Sequence, residues 1–145
     1  MIVPARPDDG ELLAEIHATS FPEPWTAADF AQFLRQPGVS GWVTGEDLAE
    51  AFILMRRVAE EAEVLTLAVT PAMRRRGYAA RLLTHALEDL RNRGTASCYL
   101  EVAVDNAAAR ALYESAGFAA CGTRRGYYER AGGSRGDAVV MRRDL

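Results

Sequence analysis

Apolar residues recur along this chain at two spacings, and the switches between them mark out its elements. Leu12, Leu13 and Ile16 follow Asp8 at helical intervals, predicting a first helix to about Thr19. Phe21-Pro22-Glu23-Pro24-Trp25 cannot continue it, because each proline removes a donor and restricts the residue before it. Thr26 reads as an N-cap with Asp29 in a capping-box position, opening a second helix that carries Phe30, Phe33 and Leu34 on one side. That helix is expected to stop near Pro37-Gly38. The spacing then shortens. Strands are predicted at about Gly41 to Thr44, Glu50 to Val58 and Ala62 to Pro71, the first two separated by a turn at Gly45-Glu46-Asp47. Such short connections favour an antiparallel meander. Met1 to Pro4 reads as a short edge strand limited by Pro4 and Pro7.

The second half begins with the longest helix. From Gly77, the residues Ala79, Leu82, Leu83, Ala86, Leu87 and Leu90 follow a helical stripe, and Gly94 ends it. A strand over about Ser97 to Val102, a helix from Asn106 to Ala116 closed by Gly117, and strands near Phe118 to Arg125 and Asp137 to Arg142 complete the order. Gly126, Gly132, Gly133 and Gly136 are placed in the loop between the last two strands. The fold class is α+β, a mixed sheet with helices on its faces.

Composition narrows the function. The 145 residues fit one domain spanning 1–145, with 49% hydrophobic and 26% charged residues, as in an ordinary globular protein. A net charge of -3 argues against direct nucleic-acid binding. No apolar stretch reaches membrane-spanning length and no leader pattern precedes the first strand, so the expected location is the cytoplasm. Cys98 and Cys121 each fall in an apolar run without metal-ligand spacing and read as reduced core residues. His17 and His85 lie on helices, expected to face partly outward. Neither has a second ligand at metal spacing, so no metal site is expected. Arg142 and Arg143 read as solvated, and no nucleophilic triad is present.

Against the mild overall charge, Arg74-Arg75-Arg76-Gly77 stands between a strand and a long helix. The first N–H groups of a helix lack intrahelical partners and carry partial positive charge, so this junction suits an anion. Gly77 would let a phosphate reach the backbone. The run is neither a P-loop nor a dinucleotide fingerprint. A solvated basic loop is the plainer alternative.

Two further side chains stand out. Glu101 is a carboxylate among apolar residues in a predicted strand, where alternation puts it with Tyr99 on one face and Cys98, Leu100 and Val102 on the other. An arginine across the sheet would explain it structurally. Tyr113 lies on the small apolar stripe of its helix, where packing alone would suffice.

Arg74-x-x-Gly77-x-Ala79 resembles the Gln/Arg-x-x-Gly-x-Gly/Ala motif of the GNAT family of N-acetyltransferases, and the order of elements is similar over almost the whole chain. The resemblance implies a GNAT fold, with a mixed, mainly antiparallel sheet of six to seven strands and about four helices. It implies acetyl-CoA as co-substrate, with its pyrophosphate at Arg74, Arg75, Arg76, Gly77, Tyr78, Ala79 and Ala80. The pantetheine arm would lie beside Leu67, Ala68 and Val69, and Asn106 matches a cofactor-contacting position.

More narrowly, Glu101, Asn106 to Ala109, Ala111-Leu112-Tyr113-Glu114, Gly117-Phe118, the Pro24-Trp25-Thr26 segment and Arg124 to Tyr128 resemble the bacterial ribosomal-protein-alanine N-acetyltransferases. That group's general base corresponds to Glu101 and its general acid to Tyr113. Its substrate is the N-terminal segment of a small-subunit ribosomal protein, here expected between Phe21 to Trp25 and Tyr127-Tyr128. Trp25, Tyr127 and Tyr128 could alternatively close the core at the sheet edge. The glycine-rich stretch Ala131 to Gly136 leaves that hairpin's part in peptide selection open. A small-amine or lysine acetyltransferase, or a CoA-binding sensor without chemistry, are the competing readings. The oligomeric state stays open, with a monomer favoured.

Overall fold

Buried apolar residues line both faces of one central strand, Ala51–Val58, and that strand organises the computed structural model. Ala51, Ile53 and Met55 pack on one side, Phe52 and Leu54 on the other. The structure describes residues 1–45, 48–129 and 135–145, with only the backbone given for 126–129 and 135. In chain order the strands are β1 (Val3–Pro4), β2 (Val39–Thr44), β3 (Ala51–Val58), β4 (Glu61–Val69), β5 (Ser97–Ala103), β6 (Ala119–Glu129) and β7 (Arg135–Asp144). The helices are α1 (Gly10–Ala18), α2 (Ala27–Arg35), α3 (Tyr78–Asn92) and α4 (Ala107–Ser115). Among the described residues these strands form one sheet in the order β1-β2-β3-β4-β5-β7-β6, parallel only between β4 and β5.

Two apolar layers hold the helices to the sheet. Leu82, Leu83, Ala86, Leu87 and Leu90 of α3, with Tyr113 and Phe118, cover one face; Leu13, Ile16 and Phe30 of α1 and α2 cover the other. The α2 start is a reciprocal cap: Thr26 Oγ1 accepts Asp29 N–H at 3.1 Å and Asp29 Oδ2 accepts Thr26 N–H at 2.9 Å. The β2-β3-β4 meander is antiparallel, as short connections require. Residues 46–47 of the expected turn lie outside the described residues, as do 131–134 of the glycine-rich stretch.

Several expectations need correction. The final hairpin is longer than the apolar pattern suggested: Gly126 and Gly136 belong to β6 and β7, because pairing continues through Tyr128–Gly136 to Glu129–Arg135. Tyr127 and Tyr128 are therefore strand residues, and their side chains lie outside the described part. Cys98 is buried, and burial pushes its thiol up to about 12. Cys121 is exposed, not core: Ala120 pairs with Met141 and Gly122 with Val140, so Cys121 is the extra residue of a bulge. His17 faces inward at 2% exposure. Arg143 is half-buried and donates to the Ala116 carbonyl at 2.8 Å, where the end of α4 favours a cation. Among the described residues no helix is long and apolar enough to cross a membrane.

Candidate active site

The sheet opens at the one place where its strands run parallel. β4 and β5 are in register only at Glu61–Ser97, Ala62–Cys98 and Glu63–Tyr99. Beyond Glu63, β4 stays with β3 as far as Val69, while β5 continues with β7. The parting coincides with a bulge: Met55 pairs with Val64 and Leu54 with Thr66, leaving Leu65 as the extra residue. A bulge bends its strand, which accounts for the separation of β4 from β5. The wedge between the strands is a cleft of about 720 Å³, lined by Leu67, Glu101, Asn106 and Tyr113 and, from the α1–α2 side, by Phe21 and Trp25.

Glu101 reaches this cleft from the β5 face expected of it, since Cys98, Leu100 and Val102 are buried on the opposite side. Its carboxylate is bound by Arg124 of β6, whose Nη1 donates to Oε1 at 2.8 Å and to Oε2 at 3.1 Å. The cross-sheet arginine is thus real, and it coexists with a place in the cleft. Tyr113 is 8% exposed, its ring edge-on to Phe118 at 5.9 Å, and it also borders the cleft. Packing and access to the cleft coincide in one residue.

Asn106 caps α4, its Oδ1 accepting Ala109 N–H at 3.1 Å. With that oxygen committed to the helix, the amide NH2 is the group suited to an anionic or carbonyl ligand. Leu67 lines the wedge; Ala68 is buried under α1 and α2, so only its backbone could serve a ligand.

The junction between β4 and α3 has the expected backbone. Gly77 caps α3 at φ 82°, and the first intrahelical bond runs from Arg81 N–H to the Gly77 carbonyl at 3.1 Å. The N–H groups of Tyr78, Ala79 and Ala80 precede it. Residues 74–77 are exposed. A Cβ on Gly77 would meet only Arg81 Nη1, at 3.7 Å, so the backbone there is open to a ligand. Arg74 turns back, donating to Val69 O at 3.3 Å and Ser20 Oγ at 3.0 Å, which ties this loop to the end of α1. Tyr78 is buried at 6% exposure, with the Arg81 guanidinium over its ring at 4.8 Å.

His17, Thr66 and Arg124 border or brace the same region and were not singled out for it. His17 Nδ1 accepts Trp25 N–H at 3.2 Å, and its ring stacks on Phe21 at 4.1 Å and Trp25 at 5.2 Å. The hint for Thr66 was a hydroxyl between Leu65 and Leu67 in an apolar strand; for Arg124, the need of Glu101 for a partner.

Comparison with known proteins agrees with this architecture. The family described as "Acetyltransferase (GNAT) family" matches residues 10–118. The "[Ribosomal protein bS18]-alanine N-acetyltransferase" of Salmonella typhimurium is 38% identical over 118 residues, covering 81% of this chain and 79% of that protein. "N-alpha-acetyltransferase RimI" of Mycobacterium tuberculosis is 39% identical over 143 residues, covering 94% and 87%. The crystal structure of the ribosomal-protein-S18-alanine N-acetyltransferase from Escherichia coli superposes with a TM-score of 0.90 at 32% identity, covering 100% of this chain and 94% of that one. With its wedge between β4 and β5, its bare-backbone helix start and these relatives, the chain belongs to the acetyltransferase (GNAT) family and is an N-acetyltransferase.

Proposed function

We propose that this chain, acting as a single domain over residues 1–145, moves the acetyl group of acetyl-CoA to the N-terminal α-amine of a protein. The substrate we propose is the alanine terminus of a small-subunit ribosomal protein, the activity named for the Salmonella and Escherichia relatives. The observation that carries the reading is that Glu101 of β5 and Tyr113 of α4 line one cleft, opened where β4 leaves β5.

An α-amine has an unperturbed pKa of about 7.7–8.0, so much of it is protonated at neutral pH and a base is needed. Glu101 takes that proton, directly or through a water. The amine nitrogen then bonds to the thioester carbonyl carbon, and the C–S bond breaks as the tetrahedral centre collapses. Tyr113 protonates the departing thiolate, and the second proton leaves the nitrogen for the resulting tyrosinate. The neutral amide, the CoA thiol and the neutral tyrosine are formed, while Glu101 returns its proton to solvent. The β4 backbone past the bulge offers N–H groups to the thioester oxygen. The exposed N–H groups of α3, with Arg75 and Arg76, suit the pyrophosphate. Trp25 borders the acceptor side, and Tyr127 and Tyr128 on β6 are assigned to peptide binding by sequence resemblance.

The test is a panel of N-terminal peptides incubated with acetyl-CoA and read by mass. It includes the ribosomal alanine-start sequence and a blocked peptide bearing a free lysine. Acetylation of the free α-amine is expected. Acetylation of the blocked peptide alone would overturn the N-terminal reading, and CoA binding with no acetylation would favour the sensor.

A further inference from the structure

One hydroxyl in the cleft has no hydrogen-bonding task among the described residues. Thr66 is 7% exposed, and its Oγ1 is buried without a hydrogen-bond partner among the described residues, yet the residue lines the cleft. Buried polar groups are nearly always paired, so an orphan bordering a cleft calls for a ligand. Thr70 and Thr95 are also unpaired among the described residues, but neither borders the cleft, so the combination is what sets Thr66 apart. Valine has the same shape and suits a strand equally well, so the fold alone gives no reason for the hydroxyl.

Its direction follows from the bulge. Leu67 and Val69 pack toward α3, while Ala68 packs toward α1 and α2. Period two then puts Thr66 on the α1–α2 face with Ala68. Across the wedge, Glu101 shares that face, because Leu100 and Val102 pack toward α3 and α4. Thr66 and Glu101 thus flank the gap from opposite strands on the side bordered by Trp25.

We infer that Thr66 is a positioning residue for the acceptor: its Oγ1 accepts an N–H of the substrate's α-amine, turning the nitrogen lone pair toward the thioester. The inference rests on the peptide acetylation proposed above. As Glu101 removes one proton, the hydrogen bond to Thr66 holds the N–H that stays in the product amide, and no covalent bond to Thr66 is made or broken.

Replacing an unpaired buried hydroxyl by a methyl is neutral or stabilising, so Thr66→Val separates the two roles. The expected result is a fall of about tenfold in kcat/KM for the alanine-start peptide, the loss of one hydrogen bond. The KM for acetyl-CoA is expected to stay at the wild-type value, with an unchanged or raised Tm, and Thr66→Ser is expected to recover the peptide activity. Should Thr66→Val not fold, Thr66→Ser against Thr66→Ala carries the same comparison, since both lack the methyl and only the former keeps the hydroxyl. Wild-type peptide kinetics in the hydroxyl-free variant, or an equal rise in the acetyl-CoA KM, would overturn the inference alone. A wild-type chain that acetylates no peptide would overturn it together with the function on which it rests.

Discussion

Arg124 Nη1 sits 2.8 Å from one oxygen of Glu101 and 3.1 Å from the other, joining β6 to the proposed base across β7. The arginine side chain is 57% exposed and the carboxylate 26%, so solvent screens the pair and its worth to stability is small, about 0–1 kcal/mol. Its more important effect is orientation, because one nitrogen held near both oxygens fixes the direction in which the carboxylate points.

A double-mutant cycle separates those effects. Glu101→Gln is expected to lower kcat by about 10²–10⁴, the usual worth of a positioned general base. Arg124→Ala should cost less, and adding it to Glu101→Gln should cost almost nothing more, since the two act as a unit. Steady-state kinetics on the four proteins checks this; strictly additive losses would show that Arg124 acts elsewhere.

Tyr113→Phe keeps the ring that packs against Phe118 and removes only the hydroxyl. The Tm should therefore stay within a few degrees of wild type while kcat drops. The loss should shrink with an acetyl thioester whose thiol is more acidic, because a better leaving group needs less protonation. A loss independent of the leaving group would argue against the acid role.

Most of this layout is legible in the sequence. The α3 stripe from Leu82 to Leu90, the Thr26–Asp29 cap and the two faces of β5 are local patterns, and each reappears as read. Glu101 and Tyr113 could be singled out, but their shared cleft depends on β4 leaving β5, which rests on a bulge at Leu65 that has no residue signature. The burial of His17 escapes the sequence for a related reason: it is set by Phe21, Trp25 and Phe30, brought to it by the Pro22–Pro24 turn and α2, and helical periodicity is blind to such neighbours. Gly126 and Gly136 look like turn residues around Tyr127 and Tyr128, whereas pairing at Tyr128–Gly136 and Glu129–Arg135 extends both strands past them.

Burial lowers the pKa of His17 from its ordinary 6.5 to about 4. Between those values the unfolded chain binds a proton that the folded chain does not, so stability falls as pH drops through this window. Above 6.5 the contribution is complete. At about 1.4 kcal/mol per pKa unit, the loss from this one group is roughly 3 kcal/mol. Protonation of Nδ1 also abolishes the acceptor for Trp25 N–H. Tm measured from pH 7 to 5 should decline more steeply in wild type than in His17→Gln, whatever their separation at pH 7. Parallel curves would show that the imidazole stays accessible to protons in the folded chain.

Gly77→Ala tests the anion junction, because its two costs appear in different measurements. A Cβ there would find Arg81 Nη1 at an ordinary 3.7 Å, so no clash destabilises the fold. The backbone, however, is left-handed at φ 82°, where an L side chain costs about 1 kcal/mol. A small fall in Tm is therefore expected from strain alone. The same methyl projects over the helix start where a pyrophosphate would meet the N–H groups of Tyr78, Ala79 and Ala80. The KM for acetyl-CoA should rise well beyond what that strain explains, while the KM for the peptide stays near wild type. To separate obstruction from loss of the left-handed turn, Gly77→Asn is the useful control: asparagine tolerates this conformation better but obstructs at least as much. Acetyl-CoA binding restored in Gly77→Asn would assign glycine's role to the turn; binding still impaired, with Tm recovered, would assign it to close approach of the phosphate.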